Sequence, residues 1–220
     1  LAYNRENALG AAEWAGIGGT ISAGKAAATF TQVTSSLTTL VGDAEVNGLI
    51  QATRSNINDQ KAIQVASKAK SIGRAFQDKM INGTGSSNQI DGLLSLVTSS
   101  QTLSSGTNGA ALSFALLDEL MDGVVDKDGQ VDYLMMPSRT LRSYYALLRA
   151  LGGASIGDTA TLPSGAQVPA YRGTPIFRND WIPTTQTQGT ESAATSILAG
   201  TLDDGSMSYG ISGLTAADAA

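Results

Sequence analysis

Residues Asn58 to Leu94 constrain the fold more than any other stretch. They read as one long amphipathic helix that stops at Asn82-Gly83 and passes through a short polar loop into Asp91-Gly92-Leu93-Leu94. At about 100° per residue, Ala62, Val65, Ala69, Ile72, Gly73, Phe76 and Met80 fall on one arc, with Gln64, Ser67, Ser71 and Asp78 opposite. Ala62, Ala66, Ala69 and Gly73 offer so little volume that another backbone must come close to cover that face. A helix of roughly 24 residues runs about 36 Å, a length that suits a structural spine better than a catalytic scaffold.

The chain of 220 residues is long enough for one domain or two small ones, and 42% hydrophobic residues suffice for a core. It contains no cysteine and no histidine. Disulfide frameworks, thiolate metal sites and serine-histidine or cysteine-histidine catalysis are therefore excluded. Carboxylate-only metal sites, serine-lysine pairs and carboxylate dyads stay formally open, although the sequence does not cluster the residues they need. The net charge of -5 is uneven: residues 1–110 hold 8 Lys/Arg against 7 Asp/Glu, and residues 111–220 hold 6 against 12. A phosphate-neutralising protein should show a basic patch and a pI far above 4.6. Lys61, Lys68 and Lys79 share one edge of the long helix, where the ordinary reading is a solvated flank and the alternative a weak nucleic-acid contact. No run approaches 18 apolar residues, so no membrane span is expected, and no basic leader with an apolar core is visible. Leu1 in place of methionine points to processing, an engineered start or a segment upstream.

Around the helix, residues 1–35 carry Tyr3, Trp14, Ile17, Ile21, Phe30 and Val33 among glycines, with Gly18-Gly19 as a turn between two extended arms of a hairpin-like projection. Residues 29–41, rich in β-branched side chains, read as a strand returning from it, and Gly42 to Val46 as a turn. Asn56 or Asn58 is the expected cap of the long helix, with Asp59 in its first turn. Residues 83–112 read as loop plus one short strand around Leu93, Leu94, Leu96 and Val97. Ser113 caps a second helix with Leu116, Leu117, Leu120, Met121 and Val124 on its face, and Asp126 to Gly129 turns the chain into a buried strand from Val131 to Met136 that Pro137 ends. Ser138 is the expected cap of a third helix, faced by Leu141, Tyr145, Leu148 and Leu151 and stopped by Gly152-Gly153; one of Tyr144 and Tyr145 faces solvent or a neighbour. Ala166 to Tyr171 turns through Arg172-Gly173 into Pro175 to Arg178, and Trp181-Ile182-Pro183 closes the unit. A polar loop over Thr184 to Ser192 and a final strand from Thr195 to Gly200 follow, then an alternating run from Asp204 to Ile211 and a small-residue tail.

Taken in order, these pieces resemble the major capsid protein of tailed bacteriophages, with the Hong Kong 97-type fold that encapsulin shells share. The likeness rests on Phe76 to Gly83 followed by Ile90 to Leu94, on Asp132 to Arg142, and on Leu162 to Pro183, which is similar to the family's "Leu-x-Gly-x-Pro-Val … Pro-Ile … Pro" hairpin region. It implies an α+β fold in four parts: a projecting β-hairpin arm over 1–35, a peripheral domain with the spine helix over 36–85, a mixed α/β axial domain over 86–200, and a return strand over 201–220 read as truncated. The implied function is a structural subunit that self-assembles, through hexamers and pentamers and with or without a scaffolding protein, into an icosahedral shell. Such a shell encloses double-stranded DNA without binding it specifically, contacts no membrane, and is built in the bacterial host cytoplasm into a virion capsid. An encapsulin-like compartment is the nearer alternative. Some relatives cross-link through a lysine of the projecting loop, for which Lys25 is the sole lysine before the spine helix.

Two other classes are weighed. One is a soluble binding module or surface-layer protein contacting a partner through Ser/Thr/Gly-rich loops. The other is an enzyme using Asp203 with Asp204, or Asp126 with Asp128, as metal ligands; the plain reading of both pairs is turn chemistry. Trp14 and Trp181 read as core or interface packing. No catalytic, cofactor-binding or metal-ligating residue is assigned, and no cofactor is expected.

Overall fold

The computed structural model describes residues 2–54, 59–127, 129–151, 158–203 and 210–211. In chain order come β1 (Ala2–Ala8), β2 (Thr29–Thr34), α1 (Gly48–Arg54), α2 (Gln60–Asn82), α3 (Leu93–Leu96), α4 (Phe114–Val125), β3 (Tyr133–Met136) and α5 (Ser138–Ala150). Then follow β4 (Thr159–Thr161), β5 (Gln167–Tyr171), β6 (Thr174–Arg178), β7 (Gln186–Gln188), β8 (Glu191–Ala194) and β9 (Leu198–Gly200). This α+β content divides into two compact units, one of Leu1–Ile72 with Gly85–Ile90 and one of Gly73–Thr84 with Asp91–Ala220.

The second unit is built on a five-stranded sheet in the order β4-β5-β6-β3-β9, in which β3 and β6 run parallel and the other neighbours antiparallel. β3 is an interior strand paired on both edges, so it can be buried without orphaned backbone groups. Leu134 and Met136 from β3 and Ile176 from β6 meet Leu117 of α4 and Tyr144 of α5 in the core. Phe114 stacks on Tyr171 at 5.7 Å and meets the Tyr144 ring edge-on at 6.2 Å, while the Tyr144 hydroxyl donates to the Ala170 carbonyl at 2.9 Å. Between the two adjacent tyrosines, Tyr144 is therefore the deeper, and Tyr145 packs against its rim. Ser113 caps α4 as its sequence predicts, its Oγ accepting the Leu116 N–H at 3.2 Å. The hairpin β5–β6 turns through Arg172 (φ 50°) and Gly173 (φ 82°), the left-handed pair of a tight two-residue turn.

Three local expectations give way. Leu93 to Leu96 is a helical turn, not a strand, because the Gly92 carbonyl accepts the N–H groups of Ser95 and Leu96. Where a plain loop is expected over 184–192, the chain forms the hairpin β7–β8 from Gln186 to Ala194, closed where Gly189 takes φ 58°. The cap position of α5 falls on Pro137, and Ser138 is its first helical residue. The expected stop at Gly152-Gly153 and the run from Asp204 to Tyr209 lie outside the described residues, although Ile211 bridges Leu202 in parallel.

In the first unit, β1 and β2 pair antiparallel from Ala2↔Thr34 to Ala8↔Thr29, with an irregularity between Glu6 and Ala8. The expected strand over 29–41 is thus regular only to Thr34. In the intervening loop Gly18 takes φ 80°, the Gly19 N–H donates to the Gly16 carbonyl, and Glu13 accepts the N–H groups of Ser22 at 2.9 Å and Gly24 at 2.8 Å. The expected caps Asn56 and Asn58 lie outside the described residues; Asp59 does the capping, accepting from Lys61 and Ala62 N–H groups. The short helix α1 carries no strong sequence signal. Gly42 lies against α2 so closely that a Cβ there would be 2.6 Å from the Ile72 side chain, but the small-residue face itself does not gain the close cover expected of it: Ala62, Ala66 and Ala69 are exposed and a Cβ on Gly73 would meet nothing within 4 Å. Among the described residues of this unit none is buried.

The last turns of α2 belong to the second unit. Ile81 is 1% exposed, and the Gly92 N–H donates to the Gly83 carbonyl at 2.9 Å. A Cβ on Gly92 would lie 2.6 Å from the Ile81 carbonyl oxygen, a backbone atom that cannot swing aside. Gly92→Ala should therefore cost roughly 3 kcal/mol in urea unfolding. Gly123→Ala, inside α4 with nothing within 4 Å of the new methyl, should instead add about 0.5–1 kcal/mol; equal effects from the two substitutions would contradict this packing.

Candidate functional site: assembly surfaces

The acidic pairs weighed as metal ligands are not brought together. Asp126 is exposed just after α4, Asp203 donates its N–H to the Ile211 carbonyl, and Asp128 and Asp204 lie outside the described residues. Among the described residues no three acidic side chains converge. The carboxylates instead hold local structure. Asp118 accepts from the Tyr171 hydroxyl at 2.9 Å and from Arg172 at 3.1 Å, latching the β5–β6 turn onto α4. Burial first, then the Asp118 carboxylate, pushes the Tyr171 phenol up to about 12, so it stays a donor. Asp132 accepts the Leu202 N–H at 2.8 Å and ties the end of β9 to the start of β3.

One serine does meet a carboxylate. Ser138 donates its hydroxyl and, at 2.9 Å, its N–H to Asp180, which Arg178 also touches at 3.2 Å. The Ser138 hydroxyl, then its N–H, then Arg178 hold the Asp180 carboxyl below its ordinary range. A carboxylate that resists protonation is a weak general base, and this one caps the N-terminus of α5 from 42 residues away. A cavity of about 1950 Å³ opens beside α4, residues 97–112 and β7–β9, yet Asp118 and Asp122 on its wall already serve Arg172. No helix among the described residues is long and apolar enough to cross a membrane.

The two tryptophans diverge. Trp181 is half-buried, donating from Nε1 to Gln77 at 3.2 Å under the Arg74 guanidinium, while its carbonyl accepts from Asn82 at 2.8 Å. Trp14 is 105% exposed just before the Gly16–Gly19 turn, and Ile17 within that turn is 112% exposed. Tyr3, Leu9 and Phe30 on the β1–β2 ribbon and its loop, Leu37 after it, and Ile63 and Val65 on α2 are also exposed. Among the described residues, these large apolar side chains are exposed within the first unit. Sequence could not single them out, because an uncovered isoleucine and a core isoleucine are the same letter.

A family model described as SU10 major capsid protein matches residues 8–161. The chain belongs to this family. It is also similar in structure to the holo-SrpI encapsulin complex from Synechococcus elongatus PCC 7942, with a TM-score of 0.61 and 20% identity, over 80% of this chain and 57% of that one. At that identity the likeness is one of fold, and this chain spans little more than half the encapsulin's length. No curated protein matches the chain. The tailed-phage capsid resemblance drawn from the order of motifs thus meets both a capsid family and the fold of a shell protein.

Within this capsid family member the Ser138–Asp180 contact should behave as a cap. Asp180→Ala should destabilise the second unit by about 1 kcal/mol at neutral pH. Because the folded carboxyl titrates below its unfolded value, that contribution is present above about pH 4 and fades as pH falls through the lower, folded value. Unfolding midpoints of the wild type and variant should converge as acid protonates the folded carboxylate; a gap that persisted at the acid limit would mean the carboxylate is not the source.

Proposed function

We propose that this protein is the structural subunit of an icosahedral shell, the capsid of a tailed phage or prophage, and that its work is contact between copies rather than chemistry at a pocket. The membership of a capsid protein family carries the reading, and the uncovered apolar surface of the first unit supports it. In this reading residues 1–35 are a projecting arm, residues 36–85 a peripheral domain around the spine helix, residues 86–200 the axial domain, and residues 201–220 the start of a return strand. Copies meet as hexamers and pentamers, with or without a scaffolding protein, in the cytoplasm of the bacterial host. Many modest interfaces repeated by symmetry, each near ~1,600 Å², hold such a shell without any single residue dominating.

The enclosed cargo is double-stranded DNA held by confinement. With 19 acidic against 14 basic side chains, the chain lacks the excess of cations that tight phosphate binding requires. Light scattering of the purified protein, alone or with a scaffolding partner, should give particles of megadalton mass, and electron microscopy should show closed shells. Only monomer at every concentration and salt would overturn the reading. Deleting residues 1–28 should leave the second unit folded while closed shells are lost.

A further inference from the structure

The sequence holds three Asn-Gly dipeptides, Asn47-Gly48, Asn82-Gly83 and Asn108-Gly109. An asparagine followed by glycine can react with itself, because no Cβ on the glycine hinders its nitrogen from reaching the side-chain carbonyl. As dipeptides the three are equal. The fold makes them unequal.

Asn82 closes α2 with both reacting ends held. Its Nδ2 donates to the Asp78 carboxylate at 2.9 Å and to the Trp181 carbonyl at 2.8 Å, and the Gly83 N–H donates to the Lys79 carbonyl at 2.8 Å. Attack at this site would break all three bonds. Asn47 precedes α1, its Oδ1 accepting the Leu49 N–H at 2.8 Å. That donor follows directly on Gly48, so it is carried off as Gly48 swings toward the side chain.

Asn108 differs from both. It stands in the turn from Gly106 to Gly109, where the Gly109 N–H donates to the Gly106 carbonyl at 3.3 Å, a long and weak hold, and Gly109 takes φ 73°. Its Oδ1 accepts the Thr190 N–H at 3.0 Å, and its Nδ2 makes no hydrogen bond among the described residues. Thr190 belongs to a separate element, the β7–β8 turn, which Gln188 pins to the same loop by donating from Nε2 to Ser104 Oγ at 2.7 Å and to the Gly106 carbonyl at 3.3 Å. A Cβ on Gly189 would run into Asn108 Oδ1 and the Thr107 carbonyl, so the hairpin sits hard against this amide. All of these contacts lie within the second unit. The Thr190 donor is thus fixed beforehand and aimed at the oxygen on which negative charge develops when the side-chain carbonyl is attacked, the arrangement that lowers the barrier to acyl transfer.

We propose that Asn108 is a self-modification site, converted in the folded chain to aspartate and isoaspartate through a cyclic imide with Gly109. The Gly109 nitrogen gives up its proton and bonds to Asn108 Cγ; the Cγ–Nδ2 bond breaks, and ammonia leaves with that proton. Water then adds to one of the two imide carbonyls and opens the ring, so one water is consumed for each ammonia released. Opening at one carbonyl gives aspartate, a new negative charge that still offers Thr190 an acceptor. Opening at the other gives isoaspartate, which lengthens the main chain by one carbon where the loop grips the hairpin. The reaction needs neither an enzyme nor a second copy, and it stands apart from the shell reading.

The test holds the full chain, folded in buffer or unfolded in urea, at one pH and temperature and follows each Asn-Gly by peptide mapping with mass spectrometry. The map reads the conversion of amide to acid, and chromatography separates the isoaspartyl peptide. In the unfolded chain the three sites should react at similar rates. In the folded chain Asn108 should react about tenfold faster than in the unfolded one, a small part of what one preorganised donor is worth in an enzyme, while Asn82 is slowed at least about tenfold and Asn47 does not exceed its unfolded rate. Thr190→Pro deletes the donor whether the hairpin refolds around the proline or lets go of the loop, and should return Asn108 to its unfolded rate. An Asn108 that reacts no faster folded than unfolded, or as fast in Thr190→Pro as in the wild type, would overturn the proposal, as would an Asn82 that keeps pace with it.

Discussion

Burial of Leu134 and Met136 on a strand paired along both edges is the arrangement on which the second unit depends. β6 on one side and β9 on the other take up the backbone groups of β3, so the strand can sit in the interior with side chains covered by α4 and α5. Several neighbouring features follow from that placement. Tyr133, alternating to the other face, lies across Gly200 of β9, whose missing side chain leaves room for the ring. Pro137 cannot donate to the ladder, so the strand ends there and α5 begins at once. The N–H groups thus exposed at the head of α5 need an acceptor, and the chain returns 42 residues later to supply Asp180.

Features set by a few adjacent residues were legible in the sequence. Ser113 with its helical run gave α4, Arg172-Gly173 between two extended runs gave the β5–β6 hairpin, and the long apolar arc gave α2. Features set across distance were not. Nothing near Ser138 announces Asp180, and nothing near Asn82 announces the Trp181 carbonyl 99 residues away. Leu93 to Leu96 failed for another reason: four apolar residues fit either period, and the Gly92 carbonyl decided for the helix. Tyr144 and Tyr145 sit 100° apart on one helix, and only the position of Phe114 and Tyr171 selects the deeper one.

The candidate surface was legible in composition and illegible in place. Absent histidine and cysteine narrowed the chemistry before any fold was considered. The glycine-punctuated stretch with Trp14 and Ile17 was readable as a hairpin-like projection, and its strands do pair. Its exposure was not readable, since hydrophobic patterning tells which side chains seek cover and not whose cover they find.

That distinction separates the two halves of this molecule physically. In the second unit each buried side chain is satisfied by others of the same chain, so a core substitution there acts on folding and is felt at any concentration. Among the described residues of the first unit the same kinds of side chain are exposed, so a substitution at Trp14 or Ile17 removes no buried packing and should leave the fold of the second unit unchanged.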